Sequence, residues 1–428
     1  MIEIKRELPR AVLIGVNLKQ DDELKTESTL QELSRLAATA GITVLGYHIQ
    51  NRRKIDAATY VGKGFLHAVL AGYDKIDMLI FANELQPNQM RNITSFFEVE
   101  VADRTEIILD IFHRHARTKE AKVQVRLAEL VYQLPRLKKL WSHLDRERGQ
   151  VSGSSGTARG MGEKQLEVDK RKIRQEILHL QDQLKRIEIQ KNVQRKRRQQ
   201  IGKVCIIGYT NAGKSTLFNS LTAADVLVED KLFATLDSTT RKLKLAGGRD
   251  VILSDTIGFI ADLPHHLIAS FHTTLQETLD ADLLLHIVDA GSARYKEQIA
   301  AVERVLQEIG AEKQKKILLL NKIDQLDEPQ RMALQAGFPE GILISARLGT
   351  NLARLYEEIN HSMYQYTVYN FLIPFEKQNL VNELYQICRI RREEYREEGI
   401  LITAEMHQAD HYRYARYDVG RRKNELHD

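Results

Sequence analysis

The chain has 428 residues, of which 43% are hydrophobic and 28% are charged, and its formal net charge is +5. This length accommodates two to four domains with buried cores. No segment approaches the roughly 18 apolar residues of a membrane helix, and the N-terminus lacks the apolar core of a signal peptide. Two widely separated cysteines make neither a disulfide framework nor a zinc site. We therefore expect a cytoplasmic protein with no transmembrane segment.

The positive charge is concentrated in one segment. Residues 113–200 contain 23 lysines and arginines against 10 aspartates and glutamates, a net charge of +13, so that the rest of the chain carries a charge of −8. A local excess of this size is typical of a surface that binds a polyanion.

Residues 1–108 are predicted to form an α/β domain. Apolar runs at 11–16, 42–45 and 78–81 predict strands, and the apolar spacing over 27–40 predicts a helix that Gly41 ends. Alternating strands and helices favour a mostly parallel sheet with both faces covered. Residues 60–64 (Tyr-Val-Gly-Lys-Gly) lack the spacing of a phosphate-binding loop and are interpreted as an ordinary turn.

Residues 109–200 are predicted to form an antiparallel helical hairpin. Two heptad-like apolar seams flank a glycine-rich stretch at 149–162, which we expect to be a flexible tip, and Pro135 should kink the first helix. The tip is either a solvated linker or an RNA contact, and the basic concentration favours RNA. The seams contain Leu127, Leu130, Leu134, Leu137, Trp141 and Leu144, and Leu166, Ile173, Ile177, Leu180, Leu184 and Ile187.

Residues 201–367 begin with a strand, a glycine-bounded loop and a helix, the context of a phosphate-binding loop. Backbone N–H groups of such a loop bind phosphate oxygens, its lysine reaches the β- and γ-phosphates, and its serine hydroxyl binds Mg2+. The loop contains Gly208, Tyr209, Thr210, Asn211, Ala212, Gly213, Lys214 and Ser215.

Further motifs follow at the ends of predicted strands. The strand at 251–254 leads into Asp255, Thr256, Ile257 and Gly258, where the aspartate holds the Mg2+ shell through water and the glycine N–H binds the γ-phosphate. Strands at 283–288, 317–320 and 342–344 complete a parallel sheet. The last two lead into Asn321, Lys322, Ile323 and Asp324, and into Ser345, Ala346 and Arg347.

Asp324 is the residue predicted to distinguish a guanine nucleotide from an adenine nucleotide. Its carboxylate can accept hydrogen bonds from guanine N1–H and the exocyclic amine, whereas adenine would leave it poorly paired. A backbone amide at Ser345 or Ala346 could reach guanine O6. The motifs in this order predict a Ras-like GTPase domain that binds GTP and GDP with Mg2+. The segment between the first two motifs must also supply a hydroxyl to Mg2+, and it offers Thr235, with Thr239 and Thr240 as alternatives by position.

Residues 368–428 are predicted to form a small α/β appendage. An apolar run at 370–374, a helix at 377–388 and a strand at 399–402 support this fold. The run His-Tyr-Arg-Tyr-Ala-Arg-Tyr at 411–417 is either an RNA-stacking element or a half-exposed strand. The final nine residues are expected to be disordered.

Several stretches together resemble the HflX family of translation-factor-related GTPases. They are GYTNAGKST, FATLDSTTR, DTIGFIADLPHHLIASF and NKID, with YVGKG, AKVQVRLAELVYQLPRL and GEKQLEVDKR outside the GTPase domain. The resemblance covers nearly the whole chain. Two positions depart from the family pattern: the tip has GTARGMGEKQLE where the family has a sequence close to GTRGPGETQLE, and Phe65 replaces a lysine.

The resemblance implies a nucleotide site and a partner. It assigns Thr235 as the switch ligand of Mg2+ and has the nucleotide lined by Phe233, Ala234, Thr235, Leu236 and Asp237. It also implies binding to rRNA and proteins of the large ribosomal subunit, and GTP-dependent splitting of stalled ribosomes, notably after heat stress. The hairpin tip would reach the peptidyl-transferase region.

We expect a monomer. The alternatives are a large-subunit assembly or anti-association factor that does not split ribosomes, and a signalling GTPase with protein partners only.

Two residues bear on the hydrolysis step. Many GTPases place a glutamine directly after Asp-x-x-Gly to orient the attacking water, but Phe259 occupies that position here. We therefore predict slow intrinsic hydrolysis that a ribosomal surface stimulates. Asn211 resembles the asparagine that binds K+ in potassium-stimulated GTPases, and it could equally stabilise its own turn.

Overall fold

The computed structural model describes residues 8–18, 23–137, 158–196, 201–222, 232–233, 239–245, 250–256, 258–260, 264, 267, 270–364 and 366–420. The predictions for the seam residues Trp141 and Leu144, and for residues 149–157, 234–237, 257 and 421–428, lie outside these ranges. The described residues fall into two compact units. The first takes its residues from Met1–Arg197, Leu227–Asp237 and Ile260–Gln276, and the second from Arg198–Val226, Ser238–Phe259 and Glu277–Asp428.

The first unit begins with a four-stranded sheet. Its strands are β1 (Arg10–Leu18), β2 (Thr43–Arg52), β3 (Met78–Phe81) and β4 (Glu100–Asp103), and its helices are α1 (Glu23–Thr39), α2 (Lys63–Ala71), α3 (Pro87–Phe97) and α4 (Arg104–His115). All strands are parallel in the order β2-β1-β3-β4, which confirms the predicted parallel sheet. β4, α2, α3 and α4 were not predicted. Of the predicted turn at 60–64, Lys63 and Gly64 are the first residues of α2, with Gly62 at the N-cap, so the prediction was wrong for these two residues.

A helical hairpin follows, as predicted. It consists of α5 (Lys119–Gln133), a 3-10 turn (Leu134–Arg136) and α6 (Ala158–Lys196). An apolar cluster that includes Val123 and Leu127 of α5 and Leu180 of α6 joins the two helices. Arg126 forms an ion pair with Glu176 at 2.9 Å. Lys119 and Lys122, which are nearer the start of α5, lie beside Leu180, which is further along α6. The two helices are therefore antiparallel.

The structure corrects one prediction about the hairpin and refines another. Residues 158–162, which include Gly160 and Gly162, belong to α6 and not to a flexible tip, so that prediction was wrong for these residues. A glycine costs a helix about 1 kcal/mol relative to alanine, which a long cooperative helix can offset. Pro135 lies in the 3-10 turn, where the first α-helix has ended. No helix in the described ranges is both long enough and apolar enough to cross a membrane.

A buried polar cluster joins the hairpin to the sheet. Asp103, at the end of β4, caps α4 by accepting a hydrogen bond from the Glu106 N–H at 3.1 Å. The Tyr132 hydroxyl also donates to Asp103 at 2.9 Å, and an Arg136 nitrogen lies 3.5 Å from its other oxygen. Burial raises the pKa of Asp103, while these donors act in the opposite direction. The cluster therefore connects the end of β4 and the start of α4 to the C-terminal end of α5 and the 3-10 turn that follows it. The predicted domain boundary at residue 108 lies inside α4.

The second unit contains a six-stranded sheet. The strands of this part of the chain are β5 (Gly202–Gly208), β6 (Thr239–Lys244), β7 (Asp250–Asp255), β8 (Leu283–Asp289), β9 (Lys316–Asn321) and β10 (Ile342–Leu343). The helices of this part of the chain are α7 (Lys214–Thr222), α8 (His272–Leu279), α9 (Tyr295–Ile309), α10 (Glu328–Gly337) and α11 (Leu352–Met363), and α8 takes its first residues from the first unit. The order is β10-β9-β8-β5-β7-β6, parallel except for the edge strand β6, which was not predicted. The five predicted strands are all present.

The C-terminal part of this unit has an antiparallel sheet. Strands β11 (Tyr366–Ile373), β12 (Arg389–Arg396) and β13 (Gly399–His407) pair in the order β11-β13-β12, with helices α12 (Asn379–Ile387) and α13 (Gln408–Tyr414). Residues 411–417 form the end of α13 and a 3-10 turn, so the strand interpretation was wrong. The helix buries Tyr414 beside Phe371 and sets His411 against Asp418 at 2.8 Å. Tyr414 is buried whereas Tyr412 is 76% exposed, so the alternating aromatic residues lie on different sides of a helix and not on one face of a strand.

One buried histidine gives a testable pH dependence. His286 on β8 is 3% exposed, and burial, aided by Lys316 of β9, lowers its pKa to about 4. It is therefore neutral at pH 7, although Glu303 of α9 lies 3.8 Å away, and Glu303 already accepts two hydrogen bonds from Lys316. Because the unfolded chain binds the proton near pH 6.5, stability is lost as the pH falls from that value through 4.

We expect His286→Leu to remove this loss. Between pH 7 and pH 5, the free energy of unfolding of the variant should fall by about 2 kcal/mol less than that of the natural chain, because the titrating group is gone. Urea unfolding at the two pH values measures the difference, and His361→Leu on α11 is the control. Equal pH dependence in the natural chain and the His286 variant would contradict the assignment.

Candidate functional site

The phosphate-binding loop lies between β5 and α7, and its backbone requires two glycines. Gly208 has φ +153°, and a Cβ there would lie 2.2 Å from the Ile287 carbonyl oxygen. Gly213 has φ +98°, and its Cβ would lie 2.3 Å from the side-chain nitrogen of Asn321. Side chains at these positions would meet both strain and overlap. The loop therefore has the conformation that the motif predicts.

Lys214 is held in place by the loop that it follows. Its Nζ donates to the carbonyl oxygens of Tyr209 at 2.8 Å and Gly208 at 3.3 Å. Burial lowers the pKa of the Lys214 amine to about 8, while attraction to Asp255 acts in the opposite direction. A phosphate group beside this amine would supply negative charge and favour its charged form. The side chain is thus held against the phosphate-binding loop by two hydrogen bonds.

Ser215 and Asp255 place a hydroxyl and a carboxylate side by side. The Ser215 hydroxyl donates to Asp255 Oδ2 at 2.7 Å, and Asp255 is fully buried at the end of β7. Its second oxygen, Oδ1, has no hydrogen-bond partner among the described residues. Burial raises the pKa of Asp255, with attraction to Lys214 opposing the shift. A hydroxyl and a carboxylate with an unsatisfied oxygen fit a hard divalent cation that keeps several of its waters.

The segment after β7 is joined to the phosphate-binding loop. Phe259 N–H donates to the Gly208 carbonyl at 3.0 Å, and Thr210 N–H donates to the Phe259 carbonyl at 2.7 Å. Gly258 lies so close that a Cβ there would come within 2.9 Å of Lys214 Nζ. The Phe259 ring is buried. The side chain that replaces glutamine therefore cannot contact an attacking water.

Asn321 connects the phosphate-binding loop to the loop that follows β10. At the end of β9, its Nδ2 donates to the Ala212 carbonyl at 2.8 Å and its Oδ1 accepts from Ala346 N–H at 2.9 Å. The Ala346 amide that was considered for guanine O6 is thus bonded to Asn321 in this structure. One side chain therefore fixes the relative position of two loops. It must both donate and accept a hydrogen bond, which explains an asparagine at this position.

Asp324 is positioned by the loop after β10. Its Oδ1 accepts a hydrogen bond from the Ser345 hydroxyl at 2.6 Å, and the side chain is half-buried. Lys322 has the left-handed φ of +65°, and its Nζ lies 2.7 Å from Asp289 Oδ2. Asp289 was missed in the sequence analysis, although a carboxylate that ends a buried strand was a usable signal. Its ion pair with Lys322 stabilises the turn that presents Asp324.

The remaining predicted residues have varied positions. The hydroxyl of Thr256 donates to the Ile206 carbonyl at 2.7 Å and is buried, so this side chain supports the sheet. Arg347 is exposed. Asn211 has φ +60°, a conformation that asparagine tolerates well. Thr239 and Thr240, the alternatives to Thr235, lie in β6, opposite Asp255 and Ser254 of β7.

Comparisons with known proteins identify the family. Family models match three parts of the chain: "GTP-binding GTPase N-terminal" at residues 27–113, "GTP-binding GTPase Middle Region" at 115–198, and "50S ribosome-binding GTPase" at 203–322. GTPase HflX of Caldanaerobacter subterraneus subsp. tengcongensis is 44% identical over 411 residues, which cover 95% of this chain and 93% of the relative. This chain belongs to the HflX family of GTPases. GTPase HflX of Escherichia coli K12 is 38% identical over 399 residues, covering 91% of each chain.

Among solved structures, a GTP-binding protein from Sulfolobus solfataricus in complex with GDP matches 83% of this chain and 99% of its own, with 24% identity and a TM-score of 0.44. Membership of the HflX family confirms that the chain is a GTPase that binds GTP and GDP through a P-loop domain. The family resemblance stated from the sequence is therefore confirmed.

Proposed function

We propose that this HflX-family GTPase binds the large ribosomal subunit and dissociates stalled or idle ribosomes in the cytoplasm when GTP is bound. The observation that carries the proposal is the charge of +13 on residues 113–200, the segment that contains the helical hairpin. The large subunit presents a phosphate-rich RNA surface, which such a segment can bind by displacing counterions. The family model that matches the GTPase domain is described as a 50S ribosome-binding GTPase, which supports the same partner.

The described part of the hairpin offers a specific basic surface. A groove of about 480 Å³ between α5 and α6 is lined by Lys119, Lys122 and Arg126 around an apolar floor of Val123 and Leu180. All three cations are exposed. Arg126 is engaged by Glu176 at 2.9 Å and Glu129 at 3.5 Å. Lys119 and Lys122 are therefore the side chains of this groove best placed to bind phosphate groups.

The nucleotide would control docking through Mg2+ and the switch segments. Ser215 would bind Mg2+ directly, Asp255 would hold it through water, and Thr235 would complete the switch when GTP is present. Bound Mg2+ would stabilise charge on the β- and γ-phosphates during hydrolysis. Since Phe259 has no group that can orient water, we expect intrinsic hydrolysis to be slow and the ribosome to stimulate it. A role of Asn211 in binding K+ predicts faster turnover in KCl than in NaCl.

Sedimentation of intact ribosomes with the protein and a non-hydrolysable GTP analogue tests the proposal. Separation into subunits with the protein on the large subunit is the expected result. Large-subunit binding without separation would favour an anti-association or assembly factor. Absence of the protein from all ribosomal fractions would contradict the proposal and favour a signalling GTPase with protein partners only.

Charge reversal in the groove tests the contact surface. We expect Lys119→Glu with Lys122→Glu to weaken large-subunit binding by about tenfold or more near physiological salt and to reduce its salt dependence, because two phosphate contacts are lost. Lys296→Glu with Arg304→Glu on the exposed face of α9 is the matched control. Equal loss in both double variants would indicate a non-specific charge effect.

A further inference from the structure

The hydroxyl of Thr210 is buried in the phosphate-binding loop. The residue is 5% exposed, and its Oγ1 has no hydrogen-bond partner among the residues that the structure describes. Most buried side-chain polar atoms have at least one partner. Thr256 follows this rule, since its hydroxyl is also buried and donates to the Ile206 carbonyl at 2.7 Å. A buried donor without an acceptor costs stability, so the hydroxyl at Thr210 requires another explanation.

The backbone of Thr210 is fixed by the segment after β7. Its N–H donates to the Phe259 carbonyl at 2.7 Å, and the Phe259 N–H donates to the Gly208 carbonyl at 3.0 Å. Tyr209 and Phe259 pair as a parallel β-bridge. Because the backbone is held, Thr210 can redirect its hydroxyl only by rotation about χ1, which has few staggered positions in a β-branched residue. The hydroxyl is thus confined to the space around one Cβ atom.

The side chain of Thr210 lies against Gly258. A Cβ at Gly258 would come within 2.8 Å of Thr210 Cγ2 and within 2.9 Å of Lys214 Nζ. In GTPases the lysine of the loop reaches the β- and γ-phosphates, and the glycine N–H of Asp-x-x-Gly binds the γ-phosphate. Thr210 and Lys214 therefore flank the position expected for the γ-phosphate. Phe259, the next residue in the chain, has no polar side-chain group to offer there.

We propose that Thr210 is a catalytic residue whose hydroxyl donates a hydrogen bond to an oxygen of the γ-phosphate of GTP. A γ-phosphate oxygen is a charged acceptor, and hydrogen bonds to charged acceptors are stronger than those between neutral groups. GDP ends at the β-phosphate, so this bond forms with GTP and not with GDP. The proposal rests on the predicted contact between the Gly258 N–H and the γ-phosphate.

The same hydrogen bond favours hydrolysis. The oxygen of water bonds to the γ-phosphorus while the bond from that phosphorus to the β–γ bridging oxygen breaks, which yields GDP, inorganic phosphate and a proton released to solvent. The charge on the phosphoryl oxygens must be stabilised during this step, and donors that are already in place supply that stabilisation. Thr210 keeps its own proton throughout, so it acts as a hydrogen-bond donor and not as a base.

The test compares Thr210→Val, which replaces the hydroxyl with a methyl group, with Thr210→Ser, which retains the hydroxyl. Titrations of the free protein measure the affinities for GDP and for a non-hydrolysable GTP analogue, and single-turnover assays measure the rate of hydrolysis. We expect valine to weaken binding of the GTP analogue about tenfold, to change the affinity for GDP less than about threefold, and to lower the rate at least about tenfold. Serine should retain most of the natural preference and rate.

Thermal unfolding separates this contact from a structural role. Because the hydroxyl has no partner among the described residues, Thr210→Val without nucleotide should unfold at the natural temperature or above it. Thr222→Val is the matched control: it removes a hydroxyl that donates to the Phe218 carbonyl at 2.7 Å near the end of α7, and should leave both affinities unchanged. An unchanged ratio of the two affinities in Thr210→Val, or an equal defect in Thr210→Ser, overturns the proposal. So does a lower unfolding temperature with equal weakening of both nucleotides, which is the signature of a structural role.

Gly258→Ala tests the premise. Its Cβ would crowd Lys214 Nζ and the Thr210 side chain, so the affinity for the GTP analogue should fall more than the affinity for GDP. If that variant keeps the natural preference, the γ-phosphate binds elsewhere and the role of Thr210 fails with it. The ribosome is absent from all of these measurements, so sedimentation tests the proposed function separately.

Discussion

Replacement of Asp324 with asparagine is expected to weaken GTP and GDP binding by two to three orders of magnitude, roughly, and to create affinity for xanthine nucleotides. The carboxylate can accept from guanine N1–H and the exocyclic amine, and hydrogen bonds to a charged group contribute about 1.5–3 kcal/mol each. The side-chain amide of asparagine has only one acceptor oxygen, and its NH2 group would face the guanine amine, which is also a hydrogen-bond donor. Xanthine has a carbonyl in place of that amine and would accept from the amide. Calorimetry with GDP and XDP measures both effects.

The control for this substitution is Asp289→Asn. Asp289 contacts Lys322 at 2.7 Å and supports the same turn, so its loss should weaken GDP binding modestly without any gain in affinity for XDP. If Asp324→Asn retains natural affinity for GDP, guanine must be recognised by other groups, and the role assigned to Asp324 is wrong.

Replacement of Ser215 with alanine should lower GTP hydrolysis by about a hundredfold or more at millimolar Mg2+. The hydroxyl is the proposed direct ligand of the metal, whose stabilisation of transition-state charge contributes several kcal/mol. The variant also loses the 2.7 Å hydrogen bond to the fully buried Asp255. Weakening the solvation of a buried carboxylate should lower the free energy of unfolding of the nucleotide-free protein by about 1–3 kcal/mol.

Two variants on the same helix make the result interpretable. Ser215→Thr keeps the hydroxyl and should retain most activity. Ser220→Ala removes a hydroxyl that donates to the Ala346 carbonyl at 2.7 Å, away from the proposed metal site, and should leave the Mg2+ dependence unchanged. Steady-state turnover across Mg2+ concentrations and thermal unfolding measure the two consequences. Natural Mg2+ dependence in Ser215→Ala would contradict a ligand role.

Buried strands were predictable because their physical signal is strong. β5, β8 and β9 have neighbours on both edges and are largely buried, so their sequences are continuous apolar runs. Their ends coincide with the motifs, which placed the phosphate loop and Asn321 along one edge of the sheet. Short-range sequence pattern and fold thus agreed for these three strands.

Elements stabilised by partners distant in sequence were missed. β6, with the sequence Thr-Thr-Arg-Lys-Leu-Lys, pairs antiparallel with β7 at the sheet edge, and its exposed side chains leave almost no apolar pattern. Residues 411–417 are helical because Tyr414 packs beside Phe371 of β11, a contact that no local pattern indicates. The dual hydrogen bonding of Asn321 likewise depends on long-range geometry.

The length of α6 has a mechanical consequence. With 39 residues it extends for about 58 Å, whereas α5 covers only about 22 Å beside it. Ile173, Ile177, Leu180 and Leu184 pack in the cluster with α5, which leaves about 22 Å between Ile173 and Ala158. A tilt of about 5° at Ile173 would move the far end by about 2 Å, enough to break a hydrogen bond there. The helix is therefore a lever, through which a slight rotation at its base makes or breaks contacts at its remote end.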